Sequence, residues 1–135
     1  MILGTGIDVV NISRIENLLE KFGEKFEKKV FTDNEISILG KFKNKSDLHL
    51  KAKYYAKRFA AKEAFSKAVG LGIGRGIDFC DIEIVNDKNG KPEILLSKKA
   101  ATFLQDYFKQ KKFQINLSLC DEPPIAQAIV IISLP

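Results

Sequence analysis

The sequence predicts an α+β fold, a largely antiparallel sheet with a long central helix. Three observations carry that expectation. Four of five strand-like segments lie in the second half of the chain, while most helical segments precede them. One unbroken helical run spans Leu48 to Val69, and its middle is rich in Ala, Lys and Glu, which lose little entropy on becoming helical. No linker, repeat or low-complexity segment interrupts the 135 residues, so 1–135 reads as a single domain with length enough for a core.

The elements follow in order. Residues 2–10 read as a strand with Ile2, Gly4, Gly6, Asp8 and Val10 on one face and Leu3, Thr5, Ile7 and Val9 on the other. Ser13–Glu16 (SRIE) has the form of a capping box and predicts a helix that fades before Gly23. Thr32–Glu35 (TDNE) is a second box, opening a short helix that ends near Gly40. KFKNKSD then reads as a polar loop, with Ser46 or Asp47 capping the long helix and Gly70 ending it. Cys80–Val85 and Pro92–Leu96 read as strands joined by a turn in NDKNGK. Ser97 can cap a helix running to about Lys112, and Phe113–Leu119 and Ala126–Leu134 are two further strands across CDEPP.

With 45% hydrophobic and 29% charged residues the chain reads as globular rather than disordered. No apolar run reaches the ~18 residues of a membrane span. MILGTGIDVV lacks a basic lead-in and Asp8 interrupts it, so it makes a poor signal peptide. Cys80 and Cys120 fit no metal-ligand spacing; two lone thiols suggest the cytoplasm, and both are expected to be buried as small hydrophobes. The net charge of +5 is uneven: Lys41 to Arg58 holds seven basic residues against Asp47 alone. Such a patch attracts polyanions, whether nucleic acid, phosphate-rich ligands or an acidic protein, or else forms a solvated lysine face.

Asp8 is the first chemical anomaly, a carboxylate in an apolar strand, costly to bury unless paired or bound to a cation. Gly4 and Gly6 leave its face bare, so another backbone or a ligand could approach there; the plainer alternative is that Asp8 caps the next helix. Glu63 and Lys67 are four apart, the spacing of an ordinary surface ion pair, about 0.2–0.5 kcal/mol. If Glu63 and Asp8 instead converge, the two could hold Mg²⁺ while phosphate oxygens and water complete its shell, leaving Lys67 to neutralise a phosphate. GLGIGRG follows a helix, whereas phosphate-binding glycine loops precede one, so Gly70, Gly72, Gly74 and Gly76 read as a turn with room for a ligand, or as a plain connector. The one histidine, His49, is expected to be exposed, and no serine lies in a nucleophile-elbow pattern, which sets triad chemistry aside. Metal-assisted transfer of a phosphate-linked group is the chemistry left standing.

GTGIDVVNISRI and KRFAAKEAFSKAVGLGIG, together with FTDNEI, DIEIVNDKNGKP and AQAIVII, resemble the sequence blocks of the holo-acyl-carrier-protein synthases, the small bacterial 4′-phosphopantetheinyl transferases. The resemblance covers essentially the whole chain and implies a 4′-phosphopantetheinyl transferase-like fold. It also implies transfer of the phosphopantetheine arm of coenzyme A to a serine of apo-acyl carrier protein, with release of adenosine 3′,5′-bisphosphate. Asp8 and Glu63 match the Mg²⁺ ligands, and Lys67 a lysine that contacts the coenzyme A phosphates. The resemblance further implies a homotrimer with sites between subunits, and a pocket so built would draw Asp8 from one chain and Glu63 from another. The base for the serine proton is then expected to be a metal-associated water held by Asp8 or Glu63. Arg14 matches a carrier-docking arginine, with Lys21 and Lys25 as further candidates for the acidic carrier. Arg58 is the candidate for the 3′-phosphate, and Gly70, Gly72 and Asp121 for other coenzyme A contacts. Asn116 and Asp121 stand where many relatives carry histidine, and Leu71 where threonine is frequent.

Two other readings stay open on the residues alone. A small basic nucleic-acid-binding module would explain the charge but not Asp8. A Mg²⁺-dependent phosphohydrolase would use the carboxylates without any carrier.

Overall fold

A computed structural model describes residues 1–41 and 47–135. It contains β1 (Ile2–Asn11), α1 (Ile12–Phe22), α2 (Glu24–Val30), α3 (Asp33–Gly40), α4 (Leu48–Val69), β2 (Ile82–Asn86), β3 (Pro92–Leu96), α5 (Lys98–Phe108), β4 (Gln114–Glu122) and β5 (Ile125–Ser133). The α+β expectation holds, and every strand pairing is antiparallel. The strands divide into a three-stranded sheet of order β1-β5-β4 and a separate β2–β3 hairpin.

Local chemistry explains most boundaries. Asn11, not Ser13, caps α1: its side chain accepts from the Ser13 backbone N–H at 3.1 Å and the Ser13 hydroxyl at 2.8 Å. The SRIE box is therefore not formed, because Ser13 already lies inside the helix. The Thr32–Glu35 box is formed in both halves. Asp47 caps α4 through the Leu50 N–H, and the alternative cap, Ser46, lies outside the described residues. Gly70 ends α4 in the left-handed conformation. Helix α2 was not expected; it begins directly after Gly23, where the chain breaks and restarts. A 3-10 turn over Phe79–Asp81 delays β2 to Ile82. Lys109, at φ 54°, stops α5 at Phe108, four residues short of Lys112. Strand β4 runs on to Glu122, so only Pro123–Pro124 separates it from β5.

Helix α4 is the axis of the molecule and is buried on most of its circumference. Ala60, Ala61, Ala64 and Ala68 are fully or almost fully buried, as are Ala126, Ala128, Val130 and Ile132 of β5. Small side chains on both elements let helix and sheet approach closely. The approach is tightest at β1: a Cβ on Gly4 would collide with the Ala68 carbonyl, and one on Gly6 with the Ala64 carbonyl. The bare glycine face thus receives a backbone, the first of the two alternatives left by the sequence.

A buried ion pair fixes the other side of α4. Lys62 Nζ lies 2.6 Å from Glu35 Oε1, both side chains are wholly excluded from solvent, and Lys62 also donates to the Val30 carbonyl at 2.7 Å. Glu35 accepts from the Thr32 and Ile84 N–H groups at 2.9 and 3.0 Å. With its hydrogen bonds satisfied, the pair joins the end of α2, the start of α3, α4 and β2; removing one partner alone would strand the other charge.

The glycine contact gives a direct expectation. In Gly6→Ala the new methyl would also lie 2.6 Å from the Ala68 backbone nitrogen, so strand and helix must separate. Denaturant unfolding should show a loss of about 1–3 kcal/mol. An unchanged midpoint would contradict the close packing.

Candidate active site

The register of β1 places Asp8 one step beyond the two glycines on the face turned to α4. Because the glycines bring that face against Ala64 and Ala68, Asp8 emerges beside the same stretch of helix. Lys67 reaches across, its Nζ donating to Asp8 Oδ1 at 3.0 Å and to the Ile7 carbonyl at 3.1 Å. The sequence-expected Glu63–Lys67 surface pair is therefore not the contact Lys67 makes. Asp8 does not cap α1 either, since Asn11 does.

Glu63, one turn before Lys67, is half-buried. Burial pushes its carboxyl above the ordinary 4.5, and Asp8 adds to the rise, while Lys67 and Arg14 oppose it. Two carboxylates thus stand in each other's field on a single chain. The Gly–Ala packing of β1 on α4 brings Asp8 to Glu63 within one chain, so a neighbouring chain is not needed for the two to meet. Arg14, from α1, lies over the Phe59 ring at 5.3 Å, one helical turn before Glu63. Two anions and two cations from β1, α4 and α1 therefore meet. Lys62, adjacent to Glu63 in sequence, points away into the Glu35 pair and takes no part.

A second feature lies on another face of α4. A cavity of about 430 Å³ is lined by Lys53, Tyr54, Lys57 and Arg58 of α4, by Pro92 at the start of β3 and by Asp121 of β4. Arg58 is buried, its guanidinium stacked 3.6 Å from the Tyr54 ring centroid, and Nη1 donates to the Tyr54 carbonyl at 3.3 Å. Its Nε is a buried nitrogen with no hydrogen-bond partner among the described residues. Burial lowers the Arg58 pKa, with partial opposition from Tyr54 and Glu35. Asp121 faces Lys53 at 3.0 Å and Lys57 at 3.3 Å. Burial raises its carboxyl, but those two lysines outweigh burial and hold it below the ordinary value. Lys51 is paired with Glu27. The 41–58 patch is therefore not a free lysine face over its described part; Lys43 and Lys45 lie outside the described residues.

Gly70 donates to the Ser66 and Lys67 carbonyls, and Gly72 has nothing within 4 Å of where a side chain would stand. The room expected beside this turn is present. Lys21 lies over the Phe22 ring at 5.4 Å, and Lys25 lines a groove of about 340 Å³ with Leu18, Phe22, Phe26 and Lys29. Sequence reasoning missed the apolar floor of this groove. The signal was present in Phe22 and Phe26, but without α2 the two had no common surface. His49 is exposed as expected and contacts Glu16 at 2.7 Å. Cys80 and Cys120 are unpaired and exposed, against expectation. Cys120 lies on the outer face of β4, opposite Gln127, and Cys80 in the 3-10 turn.

The chain as a whole is similar to known proteins. Residues 4–128 match the model of the 4′-phosphopantetheinyl transferase superfamily. The chain is 45% identical over 132 residues to the holo-[acyl-carrier-protein] synthase of Wolbachia pipientis subsp. Culex pipiens, covering 98% of each protein. It is similar to the crystal structure of holo-[acyl-carrier-protein] synthase from Neisseria meningitidis, with TM-score 0.86, 36% identity, and coverage of 98% of this chain and 99% of that one. It is also similar to the Helicobacter pylori synthase in complex with coenzyme A, with TM-score 0.77, 34% identity, and coverage of 96% and 99%.

The electrostatics of Glu63 make a test. A carboxyl whose folded value is raised stabilises the fold below the unfolded value of about 4.5, and that contribution is lost as pH rises through the folded value. Metal-free Glu63→Gln should therefore melt above the parent protein near pH ~7, with the difference fading below about pH 4. Thermal melts in chelator across that range would read it. A variant that melts lower at neutral pH would show that burial and Asp8 do not hold the Glu63 carboxyl above its ordinary value.

Proposed function

The chain belongs to the 4′-phosphopantetheinyl transferase superfamily, as an enzyme of the holo-[acyl-carrier-protein] synthase family, and from that premise we propose how its residues carry out the transfer. The observation that carries the reading is the meeting of Asp8, Glu63 and Lys67 beside an open glycine turn. The serine oxygen of the carrier forms a bond to the β-phosphorus of coenzyme A. The bond from that phosphorus to the bridging oxygen breaks, and adenosine 3′,5′-bisphosphate leaves with the electron pair.

Asp8 and Glu63 fit a magnesium site. Burial and mutual repulsion make a cation favourable there, and among the described residues no third His, Cys, Asp or Glu joins them. Mg²⁺ uses one or two carboxylates and leaves other positions to water and phosphate, whereas structural zinc wants four protein ligands. When bound, the ion supplies charge stabilisation for the pyrophosphate leaving group. Lys67, on a side chain that is 55% exposed, is placed to add a second positive charge to those phosphates. The proton acceptors in the cluster are the two carboxylates, so the serine proton passes to one of them or to a water they hold. His49 is fourteen residues up the helix from Glu63, ~21 Å along its axis, too far to serve.

The Arg58 cavity suits the 3′-phosphoadenosine end of coenzyme A. Arg58 presents an unpartnered buried N–H, and Asp121 aligns Lys53 and Lys57 around the opening. At about 100° per residue, the α4 residues lining this cavity point roughly 130° away from Glu63 and Lys67. Asp8 and Asp121 also stand on strands at opposite edges of the sheet, with β5 between them. One coenzyme A molecule therefore uses the carboxylates of one subunit and the cavity of the next. The outer face of the sheet supports such an assembly: Ile7 and Ile129, cross-strand neighbours, and Val9 are 52%, 42% and 53% exposed. A homotrimer covering this face gives three equivalent inter-subunit sites.

The acidic carrier docks along α1 and α2. Arg14 stands at the edge of the carboxylate site, and Lys21, Lys25 and Lys29 surround the apolar groove over Leu18, Phe22 and Phe26. Among the described residues no helix is long and apolar enough to cross a membrane. Two exposed, unpaired thiols suit the reducing cytoplasm.

Incubation with coenzyme A, Mg²⁺ and apo-carrier should add the mass of one phosphopantetheine group to the carrier. Release of adenosine bisphosphate without carrier modification would instead indicate a phosphohydrolase. Asp8→Asn and Glu63→Gln should each lower the transfer rate roughly a hundredfold or more while remaining folded by circular dichroism. Activity retained by both in excess Mg²⁺ would contradict the assignment. Co-assembly of Asp8→Asn chains with Arg58→Ala chains should restore activity, because a mixed assembly contains sites with both halves intact. A mixture no more active than the sum of its parts would place both halves on one chain.

A further inference from the structure

We propose that Lys67 is a built-in stand-in for the divalent cation, holding Asp8 until metal and a pyrophosphate-bearing substrate arrive together. The inference rests on the functional reading above and adds an order of events to it. Lys67 Nζ lies 3.0 Å from Asp8 Oδ1 and 3.1 Å from the Ile7 carbonyl, so it occupies the carboxylate that the cation needs. Asp8 is only 15% exposed, while Lys67 is 55% exposed. The carboxylate is fixed by the strand, whereas the lysine stem lies in solvent and can swing away without disturbing the core.

Charge counting gives the consequence. Asp8, Glu63, Lys67 and Arg14 sum to zero, with Arg14 seated over Phe59 one turn from Glu63. A divalent ion added to this neutral cluster leaves an excess of two positive charges and must displace Lys67 from Asp8. A pyrophosphate entering at the same time offers Lys67 a new anionic partner and removes the excess. Metal and coenzyme A therefore bind with positive coupling, and by linkage each tightens the other by the same factor. A lysine that served only as a phosphate contact would leave metal affinity in the absence of substrate untouched.

Free Mn²⁺, followed by its electron paramagnetic resonance signal, separates these roles without turnover. The titration uses the full chain, without carrier, with and without coenzyme A, for the parent protein, Lys67→Met, Lys67→Gln and Lys67→Arg. The parent should bind Mn²⁺ weakly alone and about tenfold more tightly with coenzyme A, within the usual range of such coupling. Lys67→Met and Lys67→Gln should bind Mn²⁺ alone about fivefold more tightly than the parent, the effect of no longer having to separate one unit-charge pair at ~4 Å in water. Both should gain less from coenzyme A. Lys67→Arg retains the cation and should behave as the parent does. Unchanged or weaker Mn²⁺ affinity in the two neutral variants, with a parent that binds the ion and modifies the carrier, would overturn the stand-in role and leave the function intact. Absence of Mn²⁺ binding in all four proteins, with no carrier modification, would overturn both.

Discussion

The structure depends on the close contact between β1 and α4. Gly4 and Gly6 have no side chains, and the α4 residues facing them, Ala64 and Ala68, have nearly none. A Cβ at either glycine would strike a helix carbonyl, so strand and helix are held at a separation that no other residue pair permits. The next position on that face of β1 is Asp8. The same contact that packs the core therefore delivers a carboxylate to the flank of the helix, where Glu63 and Lys67 stand one turn apart. The electrostatic strain on Glu63 follows from that delivery, since burial and a facing Asp8 both disfavour its charged form.

Helix α4 serves several surfaces at once, which explains why it lacks a single apolar stripe. One side meets β1 and β5 through alanines; another carries Lys62 into its buried pair with Glu35. A third presents Glu63 and Lys67, and a fourth supplies Lys53, Lys57 and Arg58 to the cavity. The Lys62–Glu35 pair holds the helix against α3 and the β2–β3 hairpin, so the cavity, whose wall includes Pro92, keeps its shape. A rigid helix thus carries two functional faces that point apart, and the proposed assembly would join them across copies of the chain. The uncovered isoleucines and valine on the outer sheet face provide the surface on which those copies can meet.

Much of this was legible in the sequence. The class and the central helix followed from the order of strand and helix segments and a long helix former, while an anomalous aspartate with two glycines on its face marked where a backbone would approach. The parts that were not legible depend on contacts remote in sequence. Lys67 reads as the partner of Glu63 because the spacing is right, but Asp8, fifty-nine residues away, competes for it and wins. Ser13 reads as a cap because SRIE has the right letters, yet Asn11 caps from two residues earlier, accepting from the N–H of Ser13 itself. Helix α2 has seven residues and draws its stability from burying Phe26 and Val30, not from propensity. The cysteines were judged by the habit of their residue type, whereas strand register decided that Cys120 faces outward. The approach of Asp8 to Glu63 within one chain was hidden for the same reason: the Gly–Ala packing is a tertiary fact with no single-sequence signature.

The account turns on one chain supplying both carboxylates to one ion. Crystals grown with Mn²⁺ and coenzyme A, measured at a wavelength where manganese scatters anomalously, would locate the ion directly. The account requires one peak bound by Asp8 and Glu63 of the same chain, with Lys67 turned from Asp8 toward the phosphates. A peak bridging carboxylates of different chains, or one that touches neither residue, would contradict it.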